Sequence, residues 1–115
     1  MKYQINLNEI TIIFKTLCDP NRLRIIRMLA SNMVDTLTVS ELAKKLSITQ
    51  PAASQHIKIL KNIHLLEPNK QGYRVYYHIN LNVLTEIKKS IDAMFELVYE
   101  KCSKFETCRG HDDND

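Results

Sequence analysis

The sequence predicts a mainly α-helical fold with one small β-hairpin, and three features of the 115-residue chain indicate it. Only two glycines and three prolines occur, so few positions interrupt helices. Apolar residues recur three and four positions apart up to residue 60 and again from residue 84 onward, which is the spacing of one helix face. Between those parts, residues 73–79 are rich in aromatic and β-branched side chains and follow a turn-prone stretch, which is typical of a hairpin.

The chain has the length of one domain, because its 44% hydrophobic content supports one modest core. We expect this domain over residues 1–106 and a short acidic tail over residues 107–115. No stretch approaches the roughly 18 apolar residues of a membrane span, and the first ten residues lack the apolar core of a signal peptide. We therefore expect a cytoplasmic protein with no membrane partner, whose three cysteines are thiols rather than a disulfide framework.

The first two helices are expected on either side of the dipeptide Asp19-Pro20. Asp19 can accept hydrogen bonds from the free N–H groups at a helix start, and Pro20 has a φ that suits the first turn. The first helix is expected over about residues 7–17, with an apolar face made of Ile10, Ile13, Phe14 and Leu17. The buried stripe of the second helix is expected to consist of Leu23, Ile26 and Leu29.

Two further helices are predicted by their capping residues. Thr38 and Glu41 fit a capping box, in which each side chain accepts from the other residue's backbone N–H. Thr49 can cap a fourth helix that has Pro51 in its first turn. The inward row of that fourth helix is expected to be Ala53, Ile57 and Leu60. The two-residue connector at 47–48 makes the pair a helix, a tight turn and a second helix.

A β-hairpin is expected next, with a turn at residues 69–72. The resulting order, α-α-α-α-β-β-α, is mainly α with a small β-hairpin wing, which is a winged helix-turn-helix. In such a fold the second helix of the helix-turn-helix enters the major groove, and the hairpin lies along the DNA. The expected DNA-binding residues are the outward polar side chains of that helix and of the hairpin: Thr49, Gln50, Ser54, Gln55, Lys58, Lys61, Lys70 and Arg74.

The side chains in this set have the chemistry that DNA requires. Glutamine can read adenine edges, serine reaches bases or phosphates, and lysine and arginine bind phosphates. Residues 36–79 contain six bases and two acids, so the positive charge is concentrated around the predicted reading helix. Double-stranded operator DNA is therefore the expected partner. The alternative is a winged-helix module that dimerises without reading DNA; no nucleophile motif or phosphate-binding glycine loop indicates an enzyme.

The last predicted helix, over about residues 81–102, has an apolar row at alternating spacings of three and four. A domain of this size rarely needs so long an apolar row for its own core. We therefore expect this helix and the first to form a homodimer interface. Its expected residues are Ile10, Phe14, Leu84, Ile87, Ile91, Met94 and Val98.

Three segments of the chain resemble the ArsR (ArsR/SmtB) family of winged-helix repressors. Residues 17–26, LCDPNRLRII, look like the opening motif of that family, residues 39–60 are similar to its helix-turn-helix, and residues 72–77, GYRVYY, match its wing. The likeness covers roughly residues 14–79 in the right order. It implies a homodimer that represses in its free state and leaves DNA when a metal, a metalloid or another signal binds.

The chain departs from that family at two of its sensing sites. Arsenic and cadmium sensors carry a Cys-x-Cys element where this chain has the sequence SELAK at 40–44. Zinc sensors use Asp and His pairs on the last helix, whereas residues 80–94 contain no histidine. Neither of these two sites is expected here.

The remaining candidate ligands are the thiols Cys18, Cys102 and Cys108, with His111 nearby in sequence. Thiolates bind soft ions such as arsenite and Cd²⁺, and three sulfurs could form a trigonal site. Two alternatives stay open. A cysteine pair could sense oxidants or persulfides, or the cysteines could be small apolar packing residues.

Overall fold

The computed structural model describes residues 6–31 and 37–104, the last four of them by their backbone alone. Five helices and three strands lie within these ranges. In chain order they are α1 (Leu7–Leu17), α2 (Pro20–Ser31), β1 (Leu37–Thr38), α3 (Val39–Leu46), α4 (Gln50–Asn62), β2 (Leu66–Gln71), β3 (Arg74–Ile79) and α5 (Leu81–Lys104). The predicted winged helix-turn-helix is confirmed, with one strand added. Strand β1 was not predicted because two residues are too short to show an alternating pattern.

The predicted capping residues start the helices as expected. The Asp19 carboxylate accepts hydrogen bonds from the backbone amides of Asn21 (2.9 Å) and Arg22 (3.2 Å) at the start of α2. Thr38 and Glu41 form a complete capping box on α3, and Thr49 accepts from Ala52 at the start of α4. These bonds satisfy N–H groups that a helix cannot pair internally. Capping chemistry therefore fixes where each of these helices begins.

The core lies where α1, α2, α3 and α4 meet the sheet and the first half of α5. Its most deeply buried large side chains are Ile25, Leu29, Leu42, Leu60 and Leu65. The inward row predicted for α4 is confirmed, since Ala53, Ile57 and Leu60 are all at most 2% exposed. Burial of this row fixes the rotation of α4 about its own axis, which turns its polar face outward.

Two predicted buried faces were partly wrong. Leu23 is 51% exposed, and Ile25 is fully buried in its place beside Leu29. On α1, Thr16 is buried whereas Phe14 is 42% exposed. Both helices have apolar residues on more than one face, so spacing alone does not identify which face meets the core.

The sheet has the strand order β1-β3-β2, with antiparallel pairing throughout. Leu66 pairs with Ile79 at the base of the β2-β3 hairpin, and Gln71 pairs with Arg74 at its tip. The turn therefore lies at Gly72, whose φ of +67° is costly for other residues. The predicted turn at residues 69–72 was too early. Past Leu66 strand β2 is exposed throughout, so it lacks the alternation that marks a strand.

Helix α5 is attached to the hairpin at its first turn. Asn80 caps it by accepting from the amides of Asn82 and Val83, and the Asn80 amide group donates to Glu67 at 2.8 Å. Ile87 packs into the core, but from Asp92 to Glu100 every residue of the helix is exposed. No helix in the described part of the chain is long and apolar enough to cross a membrane.

Replacing Asp19 tests the capping of α2. Burial favours a higher pKa for Asp19, but hydrogen bonds from the amides of Arg22 and Asn21, together with the nearby His56 ring and Arg22 guanidinium, hold that pKa below its ordinary value. A lowered pKa means that the ionised carboxylate stabilises the fold above about pH 4 and that this contribution is lost as the pH falls through the folded-state pKa.

We expect Asp19→Ala to lower the free energy of unfolding by about 1 kcal/mol at pH 7. Asp19→Asn, which keeps a capping oxygen but no charge, should cost less, and its cost should shrink toward pH 3. Urea unfolding at pH 7 and at pH 3 measures both effects. A cost of Asp19→Asn that grows on acidification would contradict the lowered pKa.

Candidate nucleic-acid interface

The polar face of α4 is exposed because the opposite face is buried in the core. All eight residues predicted to contact DNA are exposed. The Thr49 hydroxyl accepts from the Ala52 amide at 3.3 Å, so this residue caps the helix as well as standing at the surface. The outer face of α4 thus presents amides, hydroxyls and ammonium groups together.

Two open grooves bring most of the predicted residues together. The first lies between α4 and the sheet and is lined by Pro51, Ser54, Gln55, Ile57, Lys58, Lys61 and Tyr77. The second lies between the starts of α3 and α4 and the hairpin tip, and is lined by Thr38, Val39, Ser40, Glu41, Gln50, Tyr73, Arg74 and Val75. The predicted Lys70 lines neither groove and stands on β2, opposite Val75. It can reach only a ligand that extends along the hairpin.

Positive charge on this surface is available to a ligand. Among the described residues, Lys58, Lys61 and Arg74 take part in no ion pair. Glu67 instead contacts His78 at 3.1 Å and Asn80 at 2.8 Å at the base of the hairpin, away from the grooves. Surface cations without protein partners favour contact with a polyanion.

Tyr73 and Tyr77 belong to this surface but were not predicted as site residues. Tyr73 is 93% exposed at the hairpin tip, and Tyr77 lines the groove beside α4. The position of Tyr73 directly after the turn glycine was the available signal. Tyr77 had no such signal, since its place in the groove depends on the sheet register.

Large apolar side chains are also exposed on α1 and on the last turns of α5. Of the predicted interface residues, Phe14, Met94 and Val98 are exposed, and Leu84 and Ile91 are half-buried. Ile10 and Ile87 are only 6% and 5% exposed, because they pack into the protomer's own core. Other large exposed side chains on α5 are Phe95, Leu97 and Tyr99. A partner would meet these side chains rather than Ile10 and Ile87.

The predicted cysteine ligands are only partly described. Cys18 is an exposed free thiol at the junction of α1 and α2, and its backbone N–H donates to Lys15. The side chain of Cys102 lies outside the described part, as do Cys108 and His111. Within the side chains that are described, no three His, Cys, Asp or Glu residues stand close enough to hold a metal ion.

Comparisons with known proteins place this geometry among transcriptional regulators. The model of the arsR family of bacterial regulatory proteins matches residues 19–67. The chain is 30% identical over 86 residues to the transcriptional repressor SdpR of Bacillus subtilis, covering 75% of this chain and 89% of that protein. It is 33% identical over 89 residues to the arsenical resistance operon repressor of Escherichia coli, covering 77% of this chain and 74% of the relative.

A solved structure gives the same picture. The homodimeric winged helix-turn-helix DNA-binding domain Mb0332 of Mycobacterium bovis is 25% identical, with a TM-score of 0.62, and the match covers 83% of this chain and 82% of that one. The matched part includes the helix-turn-helix that carries the exposed face of α4.

Proposed function

The chain belongs to the arsR family of bacterial regulatory proteins, and we propose that it is a homodimeric repressor that binds operator DNA and releases it when a thiol-directed effector binds. The observation that carries the proposal is the single exposed surface made by the outer face of α4 and the hairpin. A repressor that binds operator DNA acts in the cytoplasm, which is therefore the proposed location.

The shape of this surface supports one mode of DNA binding. Helix α4 is 13 residues long, about 20 Å, and its polar face points away from the core. Such a helix fits the major groove, where Gln50, Ser54 and Gln55 reach base edges. The hairpin carries Arg74 and Lys70 toward flanking phosphates. Base contacts from α4 would supply specificity, and the cations would supply affinity.

Dimerisation completes the site, because one α4 reads only one half of an operator. The apolar surface on α1 and α5 is the proposed interface, with Phe14, Met94 and Val98 at its centre. The M. bovis domain that this chain resembles is described as homodimeric. A dimer built on α5 would fix the distance between two reading helices, and hence the half-site spacing.

A thiol-directed effector is proposed from the place of Cys18. This exposed thiol stands between α1, a proposed interface helix, and α2, which packs against α4. Arsenite or Cd²⁺ could be held by Cys18 with Cys102 and Cys108, and an oxidant or persulfide donor could instead act on a pair of these thiols. Either event at this junction could change dimer geometry without touching DNA.

Replacing one reading residue and one anchoring residue tests the DNA surface. A duplex is first selected by the wild-type protein from a randomised pool, and an unselected duplex of the same length serves for comparison. Gln55→Ala should weaken binding to the selected duplex by about 1 to 3 kcal/mol and leave the unselected duplex nearly unchanged. Arg74→Ala should weaken both and lower the salt slope by about 1.

Gln71→Ala is the matched control for base reading, since Gln71 is an exposed glutamine on the hairpin rather than on α4, and it should leave the preference for the selected duplex unchanged. Binding is measured by fluorescence anisotropy across a salt series. If no sequence is enriched and binding shows no salt dependence, the protein is instead a winged-helix module that dimerises without reading DNA.

A charge placed on α5 tests the dimer. Met94→Lys should shift the protein from dimer to monomer at micromolar concentration, because an unpaired ammonium group in an apolar interface costs several kcal/mol. Glu96→Gln changes the net charge by the same amount at a position roughly 160° around α5 from Met94, and it should leave the dimer intact. Sedimentation velocity measures both. An unchanged dimer in Met94→Lys would place the interface elsewhere.

Serine replacements test the effector. Cys18→Ser should bind the selected duplex as the wild type does but lose the weakening by arsenite or Cd²⁺, which for a coupling of about 1 to 3 kcal/mol is roughly 5- to 150-fold. Thiolate-to-metal absorption in the near ultraviolet should fall in parallel. Cys102→Ser and Cys108→Ser show which other thiols take part.

Weakening by a persulfide donor or an oxidant, without a response to metals, would favour the redox alternative. A Cys18→Ser protein that responds like the wild type to every one of these agents would remove Cys18 from the sensing site.

A further inference from the structure

We propose that Arg22 is a positioning residue that sets the orientation of α4 on DNA through His56, an inference that rests on the proposed function. Arg22 lies in the first turn of α2, and His56 lies in the middle of α4, next to Gln55. Neither residue was predicted as part of the site. Their contact joins the start of α2 to the helix that carries the DNA-reading side chains.

Each nitrogen of the Arg22 guanidinium contacts a different segment of the chain. Nε donates to His56 Nδ1 on α4 at 3.3 Å, and Nη1 donates to the Thr16 carbonyl near the end of α1 at 2.8 Å. Nη2 lies 3.7 Å from Asp19 Oδ2 at the cap of α2. A planar guanidinium spreads its donors over three nitrogens in fixed directions and can hold three such partners, whereas the three donors of lysine share one nitrogen. Arg22 therefore ties α1, α2 and α4 together at one point.

The side chains around this contact are largely shielded from water. The Arg22 side chain is 17% exposed, and Asp19 at 27% is also largely covered. A charge-assisted hydrogen bond away from water is stronger and geometrically stricter than an exposed one. The core contacts of α4 come from its inward row, and His56 borders that row, three residues after Ala53 and four before Leu60, so its contact adds a second constraint beside the core. Together they limit rolling of α4.

The contact also fixes the state of the His56 ring. Because Nδ1 accepts from Arg22, it must carry the lone pair, and the ring proton must be on Nε2. An acceptor at the Nδ1 position is the feature that Arg22 needs. Asparagine can place an oxygen there, whereas leucine fills similar space without an acceptor. The two replacements therefore distinguish two roles of His56. Asparagine would restore a hydrogen bond from Arg22, but it would not restore a direct contact between Nε2 and DNA.

The experiment compares DNA binding among variants of the full chain. Arg22→Lys and His56→Leu should bind the selected duplex about tenfold more weakly, the order expected for one charge-assisted hydrogen bond, with less than twofold change on the unselected duplex. His56→Asn should restore most of the loss. Arg24→Gln is the control, since Arg24 is exposed on the same helix and bonds only the Asn21 side chain, at 3.4 Å, among described residues.

A measurement without DNA keeps the proposal independent of the operator. Nitrogen-15 spectra of the histidine rings should show His56 with Nδ1 unprotonated in the wild type, and a mixture of tautomers in Arg22→Lys. A protonated Nδ1 in the neutral wild-type ring would overturn the proposal, even where Arg22→Lys binds DNA weakly because it is less stable.

Equal losses in His56→Asn and His56→Leu would also overturn it and favour a direct DNA contact by His56. If the wild type selects no DNA sequence, the proposed function fails. The tautomer of His56 then still shows whether Arg22 donates to Nδ1.

Discussion

The burial of three apolar side chains on one face of α4 is the constraint on which the proposed DNA-facing surface depends. Ala53, Ile57 and Leu60 occupy the core and leave the helix one rotational setting. Ala53 is small enough to let the first turns of α4 approach the core closely, so the polar face projects as one surface. Any larger side chain at this position would displace the helix. The packing that buries one face of α4 therefore also exposes the face that is proposed to read DNA.

The hairpin and α5 depend on that core in different ways. The hairpin meets it through Leu66 and Ile79, which pair at its base, and through Tyr77, and its tip extends into solvent with Tyr73 and Arg74. Helix α5 uses Ile87 to join the core and then leaves it. A protomer so arranged has one face that suits a polyanion and another, apolar, that suits a second copy. In the proposed function, this separation would let an effector act at the dimer face without occupying the DNA face.

The fold followed from sequence wherever a local rule determined it. Capping residues such as Asp19, Thr38 and Thr49 marked helix starts because their hydrogen bonds lie within three residues. The exposure of the residues predicted to contact DNA also followed, since the inward row of α4 defines its outward one. What failed needed long-range information: Leu23 and Ile25 are both apolar, and only packing against other elements decides which is buried. The contribution of Tyr77 to a groove likewise depends on register across the sheet.

The contact between Arg22 and His56 was beyond reach for the same reason, because 34 positions separate the two residues. Its place has a consequence for signalling. The guanidinium bonds the Thr16 carbonyl, and Thr16 is two residues from Cys18. In the proposed function, chemistry at Cys18 that shifts the end of α1 would displace a carbonyl that Arg22 contacts. Because Arg22 also donates to His56 on α4, its side chain connects the segment beside the proposed effector thiol to the proposed DNA-reading helix through two hydrogen bonds.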